Sequence, residues 1–276
     1  RISRRYEDLE MKTRPFHGRL GFDTIDLASA DIAALCAKCR IDHTVGPVAH
    51  TRGGSMAGYK RWELFKQHGL PNYARTRNDA AVEFPAGVSR MSAYLHYGQV
   101  SPFRLARESA RAGGNGPTKY LDEMLVWREL AYNFCAFRDD HGSPSSLPAW
   151  ARDTLQRHAA DARPALFDQE TLARARTGDA LWDAAQRSLL VHGELHNNVR
   201  MTWGKAILGW AESPTRALEL LIALNHRFAL DGSDPNSYGG LLWCLGLFDR
   251  PFTPERPVIG SVRSRSTESH SRRLDL

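Results

Sequence analysis

Apolar residues recur every three or four positions along most of the chain between residues 55 and 252, which is the spacing of amphipathic α-helices. Boundary signals accompany this spacing, because Ser101-Pro102 supplies an N-cap and a first-turn proline, and glycines follow several apolar stretches. No run of alternating β-branched residues is long enough to predict a strand. The pattern predicts a mostly α fold with helices over 101–112, 118–138, 179–192, 195–211 and 214–230, and shorter ones over 61–68 and 89–97.

The two ends of the chain lack this helical pattern. Residues 1–54 are mixed in character and close on a glycine-containing stretch, so we predict a lead-in or linker remnant there. Residues 253–276 combine five arginines with many serines and are predicted to form a basic tail. Residues 231–240 are rich in Asp, Gly and Asn, which favours an ordered turn over a helix. The prediction is a lead-in over 1–54 and one helical domain, with its basic tail, over 55–276.

Composition and charge narrow the classes of function. The 276 residues are 42% hydrophobic and 25% charged, which is ordinary for a globular protein. The net charge of +6 and the pI of about 9.3 favour an anionic partner such as nucleic acid, although a mild basic excess is also common on ordinary surfaces. The longest uncharged apolar stretch, 239–248, is far shorter than the roughly 20 residues that a membrane-spanning helix needs, so we expect no membrane span.

The cysteines predict neither a disulfide framework nor a metal site. Only four are present, and the Cys-x-x-Cys of Cys36 and Cys39 has no second pair at the spacing of a zinc site. This usage favours free thiols in a reducing compartment, so we predict a cytoplasmic location.

Tryptophan is the less ordinary part of the composition, because four of the seven tryptophans lie between residues 182 and 243. Leu, Ile and Phe fill a core more readily, since the indole N–H needs a hydrogen-bond partner. Trp203, Ile207 and Trp210 recur at helical spacing, which is typical of core packing. Spacing alone therefore explains these tryptophans as core residues and leaves a functional role open.

Four groups of polar residues could carry chemistry. Ser89 to Ser92 offers hydroxyls, a guanidinium and N–H groups at a helix start, which suit a phosphate, although Ser89 also fits a simple N-cap. Glu123 and Trp127 are four residues apart and share a helix face beside Arg128, although a surface carboxylate and a core indole also explain this segment. The other two groups are Asn197, Arg200 and Met201 on one helix face, and Asn225 with the turn that contains Asp231 and Asn236.

Six motifs in this order closely resemble the flavin-binding half of the DNA photolyases and cryptochromes, and within that family the class II cyclobutane pyrimidine dimer photolyases. They are SRMSAYLHYGQVSP (89–102), LDEMLVWREL (121–130), LWDAAQ (181–186), HNNVRMTWGKAILGW (196–210), LDGSDPNSYGGLLW (230–243) and DRPFTPERP (249–257). The resemblance covers roughly residues 45–276. It implies the helical FAD-binding domain of that family, with the N-terminal α/β antenna domain absent from this chain, so no second chromophore is expected on it.

The resemblance also implies an activity, a cofactor and a partner. The expected reaction is light-driven repair of cyclobutane pyrimidine dimers in DNA by electron transfer from photo-excited reduced FAD to a flipped-out dimer. UV-damaged DNA containing pyrimidine dimers is the expected partner, and the chain is expected to act as a monomer. Three alternatives stay open, namely a cryptochrome-like flavin photoreceptor, a photolyase for (6-4) lesions, and a flavin-free helical domain that binds nucleic acid.

Residue roles follow from the matched motifs. Contact with the dimer or the reacting flavin is expected at Glu123, Trp127, Asn225, Met201 and Trp243. Electron transfer to the flavin is expected along Trp203, Trp182 and Trp210. Cofactor binding is expected at Tyr73, Arg77, Ser89, Arg90, Met91, Ser92, Arg128, Asn197, Arg200, Asp231 and Asn236. The chain departs from the family pattern at Val88 (usually Thr), at Asn197 (more often Gly in class II) and at Phe252 (usually Trp).

Overall fold

The computed structural model describes residues 18, 21–26 and 29–274. Contacts between Cα atoms divide the chain into two units, residues 1–47 and 48–276. The described part of the first unit contains one helix, α1 (Ile32–Ala37), whose N-terminus is capped by the side chain of Asp31. Cys36 and Cys39 are exposed free thiols in this unit.

The second unit is built from helices, and its described residues contain no sheet. Its helices are α2 (Ser55–His68), α3 (Tyr73–Thr76), α4 (Ser92–His96), α5 (Pro102–Ala112), α6 (Asn115–Asp122), α7 (Arg128–Phe137), α8 (Ala149–Arg157), α9 (Gln169–Ala173), α10 (Ala180–His192), α11 (Asn197–Trp210), α12 (Pro214–Phe228), α13 (Pro235–Trp243) and α14 (Thr267–Leu274). Among the described residues, no helix is both long enough and apolar enough to cross a bilayer. The mostly α fold predicted from the sequence is confirmed.

Capping residues explain why four of the helices start where the sequence predicts. The side chains of Ser101, Asp179 and Ser213 accept hydrogen bonds from the backbone N–H groups of the first turns of α5, α10 and α12. The imidazole of His196 accepts from the N–H of Asn198 and caps α11 in the same way. Gly193, in a left-handed conformation, ends α10.

The predicted continuous helix over 118–138 is wrong in two respects. Helix α6 begins earlier, at Asn115, and a π-helical segment over Glu123–Trp127 separates it from α7. Apolar spacing follows the average turn of a helix and does not detect one wider turn within it. The π segment places Glu123 and Trp127 at its two ends.

Three further expectations are corrected. Residues 231–240 are a turn only as far as Asp234, because the Asp234 carboxylate accepts from the Asn236 N–H and Pro235 opens α13. Ser89 is not an N-cap, since α4 begins at Ser92 with Met91 as its cap residue. The segment 253–276 is packed up to the last described residue. Val262 and His270 are buried there, and the His270 Nδ1 and Thr202 Oγ1 atoms lie 2.7 Å apart.

The main core lies between α8 and α10 to α13, and two tryptophans are at its centre. Trp182 and Trp203 are almost completely buried and pack against leucines of α10, α11 and α12. Each indole N–H is satisfied: Trp182 Nε1 donates to the Trp203 carbonyl at 2.9 Å, and Trp203 Nε1 donates to Gln186 Oε1 at 3.1 Å. The prediction of core packing is confirmed for Trp203 and Ile207, whereas Trp210 of the same stripe is only half-buried. The hydrogen bonds of Trp182 and Trp203 leave neither buried indole N–H without an acceptor.

Candidate functional site

Three adjoining cavities of about 700, 180 and 520 Å³ lie among α3, α4, α6, α10, α11 and α13. Asn236 lines all three cavities, while Ser89, Met91, Ser92 and Asp231 are shared by the first two. We call them the large, small and basic cavity, in the order of the volumes given. The large and basic cavities fall within the range of about 300–1,000 Å³ that is typical of ligand pockets, and the small cavity is below it.

The loop before α4 forms one wall of the large cavity. Arg90 has a φ of 53°, in the left-handed region that is uncommon for residues other than glycine. Its Nε donates to one carboxylate oxygen of Glu194, and the other oxygen accepts from Arg61 Nη1 at 2.8 Å. Arg61 also donates to the carbonyl oxygen of Arg90 at 3.1 Å. Glu194 therefore holds the Arg90 loop in its strained conformation and partly neutralises two guanidinium groups at the cavity.

An ion pair from two different elements lies at the opposite wall. Both terminal nitrogens of Arg200 are 3.2 Å from Asp231 Oδ1. Burial opposes ionisation of Asp231, but the Arg200 guanidinium and the Ser92 hydroxyl hold the pKa of this carboxyl below its usual value. Asn225 is completely buried and lies behind the pair, where Oδ1 accepts from Arg200 at 3.2 Å and Nδ2 donates to the Gly232 carbonyl at 3.0 Å. It lines none of the three cavities and fixes the orientation of Arg200 instead.

Glu123 lies at the start of the π segment and lines the small and basic cavities. Arg77 Nη1 and Lys119 Nζ are each 2.8 Å from its Oε1. Because both cations contact Oε1, Oε2 is the oxygen that a ligand can reach. Glu123 therefore offers a carboxylate oxygen as a hydrogen-bond acceptor to a ligand.

Aromatic and thioether groups form the apolar part of the basic cavity. The rings of Trp127 and Trp243 are 5.2 Å apart at an angle of 33°, and Phe248 packs edge-on against Trp243. Trp243 Nε1 lies 3.4 Å from Asp249 Oδ2 and donates to it. Met201 lines the same cavity beside Gly240, where an added Cβ would lie 3.7 Å from the Met201 methyl group. This wall suits the faces of flat, apolar rings.

Positive charge surrounds that apolar wall. Glu123 is the one acidic residue among those lining the basic cavity, all of which belong to the described chain. The cationic residues of the same cavity are Arg77, Lys119, Arg128, Lys205, Arg263 and Arg265. Such an excess attracts a polyanion and binds its phosphates.

Trp182 contacts both of the other tryptophans in the predicted electron-transfer series. The rings of Trp203 and Trp182 stack at 6.0 Å with an angle of 8°, and Trp182 meets Trp210 edge-on at 5.7 Å. Trp203 lies one turn after Arg200 on α11, whereas Trp210 is only half-buried. The series therefore runs from the helix that carries Arg200 toward the surface.

Most of the predicted site residues meet at the three cavities. Those that line them are Tyr73, Arg77, Ser89, Arg90, Met91, Ser92, Glu123, Trp127, Arg128, Asn197, Arg200, Met201, Asp231, Asn236 and Trp243. Arg77 lines the basic cavity beside Glu123 and not the large cavity. Phe252 lines neither the large nor the basic cavity, and its ring packs against Arg263 and Arg250.

Sequence reasoning missed Glu194, Lys119 and Asn198, which also line the cavities. Glu194 follows the glycine that ends α10, in a stretch without helical periodicity, so only its negative charge between two helices set it apart. Asn198 lies within motif 196–210, but neither apolar spacing nor charge distinguishes it from its neighbours.

No family model matches this chain. The chain is 38% identical over 225 residues to the deoxyribodipyrimidine photo-lyase of Methanothermobacter thermautotrophicus, covering 82% of this chain and 49% of that protein. It is 35% identical over 244 residues to the deoxyribodipyrimidine photo-lyase of Potorous tridactylus, covering 87% and 45%. The chain thus spans about half the length of the curated relatives it matches.

Two solved structures share the fold. The class III photolyase of Agrobacterium tumefaciens superposes with a TM-score of 0.62 at 19% identity, over 80% of this chain and 42% of the other. The cryptochrome of Synechocystis superposes with a TM-score of 0.62 at 20% identity, over 83% of this chain and 44% of the other.

Proposed function

We propose that this chain, which belongs to the photolyase and cryptochrome family, is the FAD-binding part of a light-driven enzyme that splits cyclobutane pyrimidine dimers in DNA. The observation that carries the proposal is the basic cavity. Its lining includes Glu123, Trp127, Met201 and Trp243, and its cationic residues outnumber its acidic ones. The motif pattern, in this proposal, assigns the chain to class II.

The residues of the large cavity fit FAD by the chemistry of their polar groups. A pyrophosphate needs cations and hydrogen-bond donors, which Arg90 and the hydroxyls of Ser89 and Ser92 provide. A flavin ring has a polar edge with donors and acceptors, which the guanidinium of Arg200 and the carboxylate of Asp231 complement. When bound, FAD supplies the absorption of light and the electron that splits the dimer.

The basic cavity would orient the dimer. Glu123 Oε2 accepts a hydrogen bond from the polar edge of a base, while Arg77 and Lys119 hold the carboxylate in place. Trp127 and Trp243 form the apolar wall against which the ring faces pack. The dimer is thereby held beside Asn236, the residue shared with the large cavity.

The three tryptophans would return an oxidised flavin to its reduced state. Each indole is in contact with the next, so an electron can pass from Trp210 through Trp182 to Trp203. Gln186 accepts the hydrogen bond of Trp203 and is a neutral amide, which cannot take the indole proton away. A positive charge on Trp203 therefore moves outward along the series and is not lost there as a proton.

The experiment that tests the proposal measures the repair of two kinds of lesion and the effect of removing one carboxylate. The chain is loaded with reduced FAD and illuminated with one oligonucleotide containing a cyclobutane dimer and one containing a (6-4) lesion, and intact thymines are quantified. We expect recovery for the cyclobutane dimer only. Glu123→Gln, which removes the negative charge, should slow repair at least tenfold while FAD stays bound.

The matched control is Glu170→Gln, because Glu170 is an exposed carboxylate paired with Arg174 outside the three cavities. It should repair at the unaltered rate. Absence of thymine recovery in the unaltered, FAD-loaded chain would refute the repair activity, and light-dependent binding of a partner protein in its place would favour a photoreceptor. A chain that stays colourless after reconstitution would favour a flavin-free nucleic-acid-binding domain.

A further inference from the structure

A further cavity, of about 610 Å³, contacts the outer end of the tryptophan series. Trp210 lies in its wall, together with residues of segment 256–267 and of α14. Five of its lining side chains are cationic, namely Lys205, Arg256, Arg263, Arg265 and Arg273. Among its lining residues, which all belong to the described chain, none carries a carboxylate. We call it the outer cavity.

Most of this positive charge has no ionic partner in the described chain. Lys205 is nearly buried and its Nζ donates to a neutral group, the Cys244 carbonyl, at 3.2 Å. Arg265 contacts the Asn198 amide oxygen, and its Nε is buried without a hydrogen-bond partner. Arg263 alone of the five meets a carboxylate, that of Asp249, at 3.0 and 3.1 Å.

Burial and neighbouring like charges both disfavour the charged form of Arg265. Burial, followed by the charges of Arg273 and Arg263, lowers the pKa of this guanidinium. Burial also lowers the pKa of Lys205. A cluster of cations that disfavour one another gains stability from a bound anion, which makes the outer cavity an anion site.

Size and position decide which kind of anion fits. The volume is that of a pocket for a small organic molecule, and the half-buried Trp210 is one of the residues that line it. Trp210 is the last tryptophan of the series, so the electron it gives up has to be replaced from outside the chain. We propose that the outer cavity binds a small anionic one-electron donor that re-reduces Trp210. This inference rests on the electron-transfer role proposed above for the three tryptophans.

The step balances with a donor of the ascorbate class. The donor anion gives one electron to the Trp210 radical cation, which becomes a neutral indole again. The oxidised donor loses one proton to water and leaves as a radical. No bond of the protein is made or broken, and the radical cation is supplied by the photoreduction itself.

The test uses two donors that differ by one negative charge, hydroquinonesulfonate and unsubstituted hydroquinone. The FAD-loaded chain is excited by a flash, and the decay of the tryptophan radical is followed at increasing donor concentration. In the double variant Arg256→Gln/Arg273→Gln we expect the second-order rate constant to fall about tenfold for the sulfonate and less than about twofold for hydroquinone. Both arginines are exposed, so folding should be retained.

The matched control is the double variant Arg216→Gln/Arg272→Gln. It removes the same charge from arginines that pair with Glu219 and Glu268 outside the outer cavity. Both rate constants should stay within about twofold of the unaltered chain, because net charge alone has a small effect at moderate salt. An equal fall for the two donors, or the same fall in the control, would overturn the inference.

Two further outcomes separate this inference from the proposed function. If the cavity variant weakens only the binding of dimer-containing DNA, the outer cavity is a phosphate contact and the donor site is refuted. If no donor supports photoreduction in any variant, the electron-transfer proposal fails. Calorimetric titration of hydroquinonesulfonate in the dark then tests whether the outer cavity binds an anion. Weaker binding in the cavity variant alone then supports an anion site, and unchanged binding overturns it.

Discussion

Replacing Trp203 by Phe separates the structural from the electronic role of this residue. The side chain is 1% exposed, and its Nε1 donates to Oε1 of Gln186, which is itself completely buried. Phenylalanine keeps an aromatic ring beside Trp182 but has no N–H. The variant therefore interrupts the series of indoles and leaves one buried amide oxygen without its donor.

The magnitude follows from those two changes. An unsatisfied buried acceptor costs about 1–3 kcal/mol, and the smaller ring adds a cavity term of about 1 kcal/mol, so unfolding should become easier by about 2–4 kcal/mol. Adding Gln186→Met removes the orphaned oxygen, but it also removes the 3.4 Å hydrogen bond from Gln186 Nε2 to the Ala173 carbonyl, so it should recover only about 1 kcal/mol of that loss. The hydrogen bond from Trp182 Nε1 goes to the backbone carbonyl of residue 203 and survives both changes.

Two assays read the two roles independently. Urea unfolding, followed by circular dichroism, gives the free energy, and bleaching of oxidised FAD under light with a reductant gives photoreduction. Trp203→Phe and the double variant should both lose photoreduction, although the double variant regains stability. Trp150→Phe, outside the tryptophan series, should keep it. Photoreduction at the unaltered rate in the double variant would refute the electron-transfer role, and a loss below about 0.5 kcal/mol in the single variant would refute the hydrogen-bond argument.

Three other predictions concern protonation, the cofactor and DNA. Burial raises the pKa of Glu108, but hydrogen bonds from Lys66, Arg104 and Trp62 outweigh it and lower the pKa from 4.5 to about 2. At pH 7, the free energy of unfolding of Glu108→Gln should therefore be about 2 kcal/mol lower than that of the unaltered chain. In urea unfolding, this difference between the two proteins should vanish as pH falls from about 4.5 to 2. A difference that stays constant with pH would contradict the prediction. Asp231→Asn removes the charge partner of Arg200 and should weaken FAD binding at least tenfold in a flavin fluorescence titration, whereas unchanged affinity would argue against this ion pair at the flavin. Binding of dimer-containing DNA should weaken at least tenfold between about 50 and 200 mM salt in an anisotropy titration, and salt-independent binding would exclude phosphate contacts.

Helix positions could be predicted from the sequence wherever the capping chemistry is local. Ser101-Pro102 and Ser213-Pro214 mark helix starts that the structure reproduces, because a cap and a first-turn proline act within four residues. Asp234-Pro235 is the same signal, yet the surrounding Asp, Gly and Asn residues favoured a turn over the whole stretch. The turn and the helix start share one set of residues, and composition alone does not divide them.

The site was predictable where motifs bring several residue types together, and not where single charges act at a distance. Glu123, Trp127 and Trp243 reach one cavity as expected, although their roles there stay predictions. Glu194 carries no pattern of its own, because its partners Arg61 and Arg90 come from segments far apart in the chain. The burial of Val258, Val262 and His270 was hidden because serines and arginines dominate this stretch. The long stem of an arginine can cover apolar surface, as Arg263 does over the Phe252 ring, and hydrophobic spacing does not report this.

The π segment over Glu123–Trp127 makes the site depend on chain length as well as on residue identity. A π-helical turn accommodates one residue more than an α-helical turn while the flanking helices keep their positions. Deleting Leu125 would therefore restore an uninterrupted helix, leave the packing of α6 and α7 intact, and displace either the carboxylate or the indole from the basic cavity. The loss of one residue here, and not only a substitution of Glu123, would then remove the site proposed for the dimer and leave the fold and the proposed flavin site in place. Flavin binding without dimer repair in that deletion variant is the expected signature.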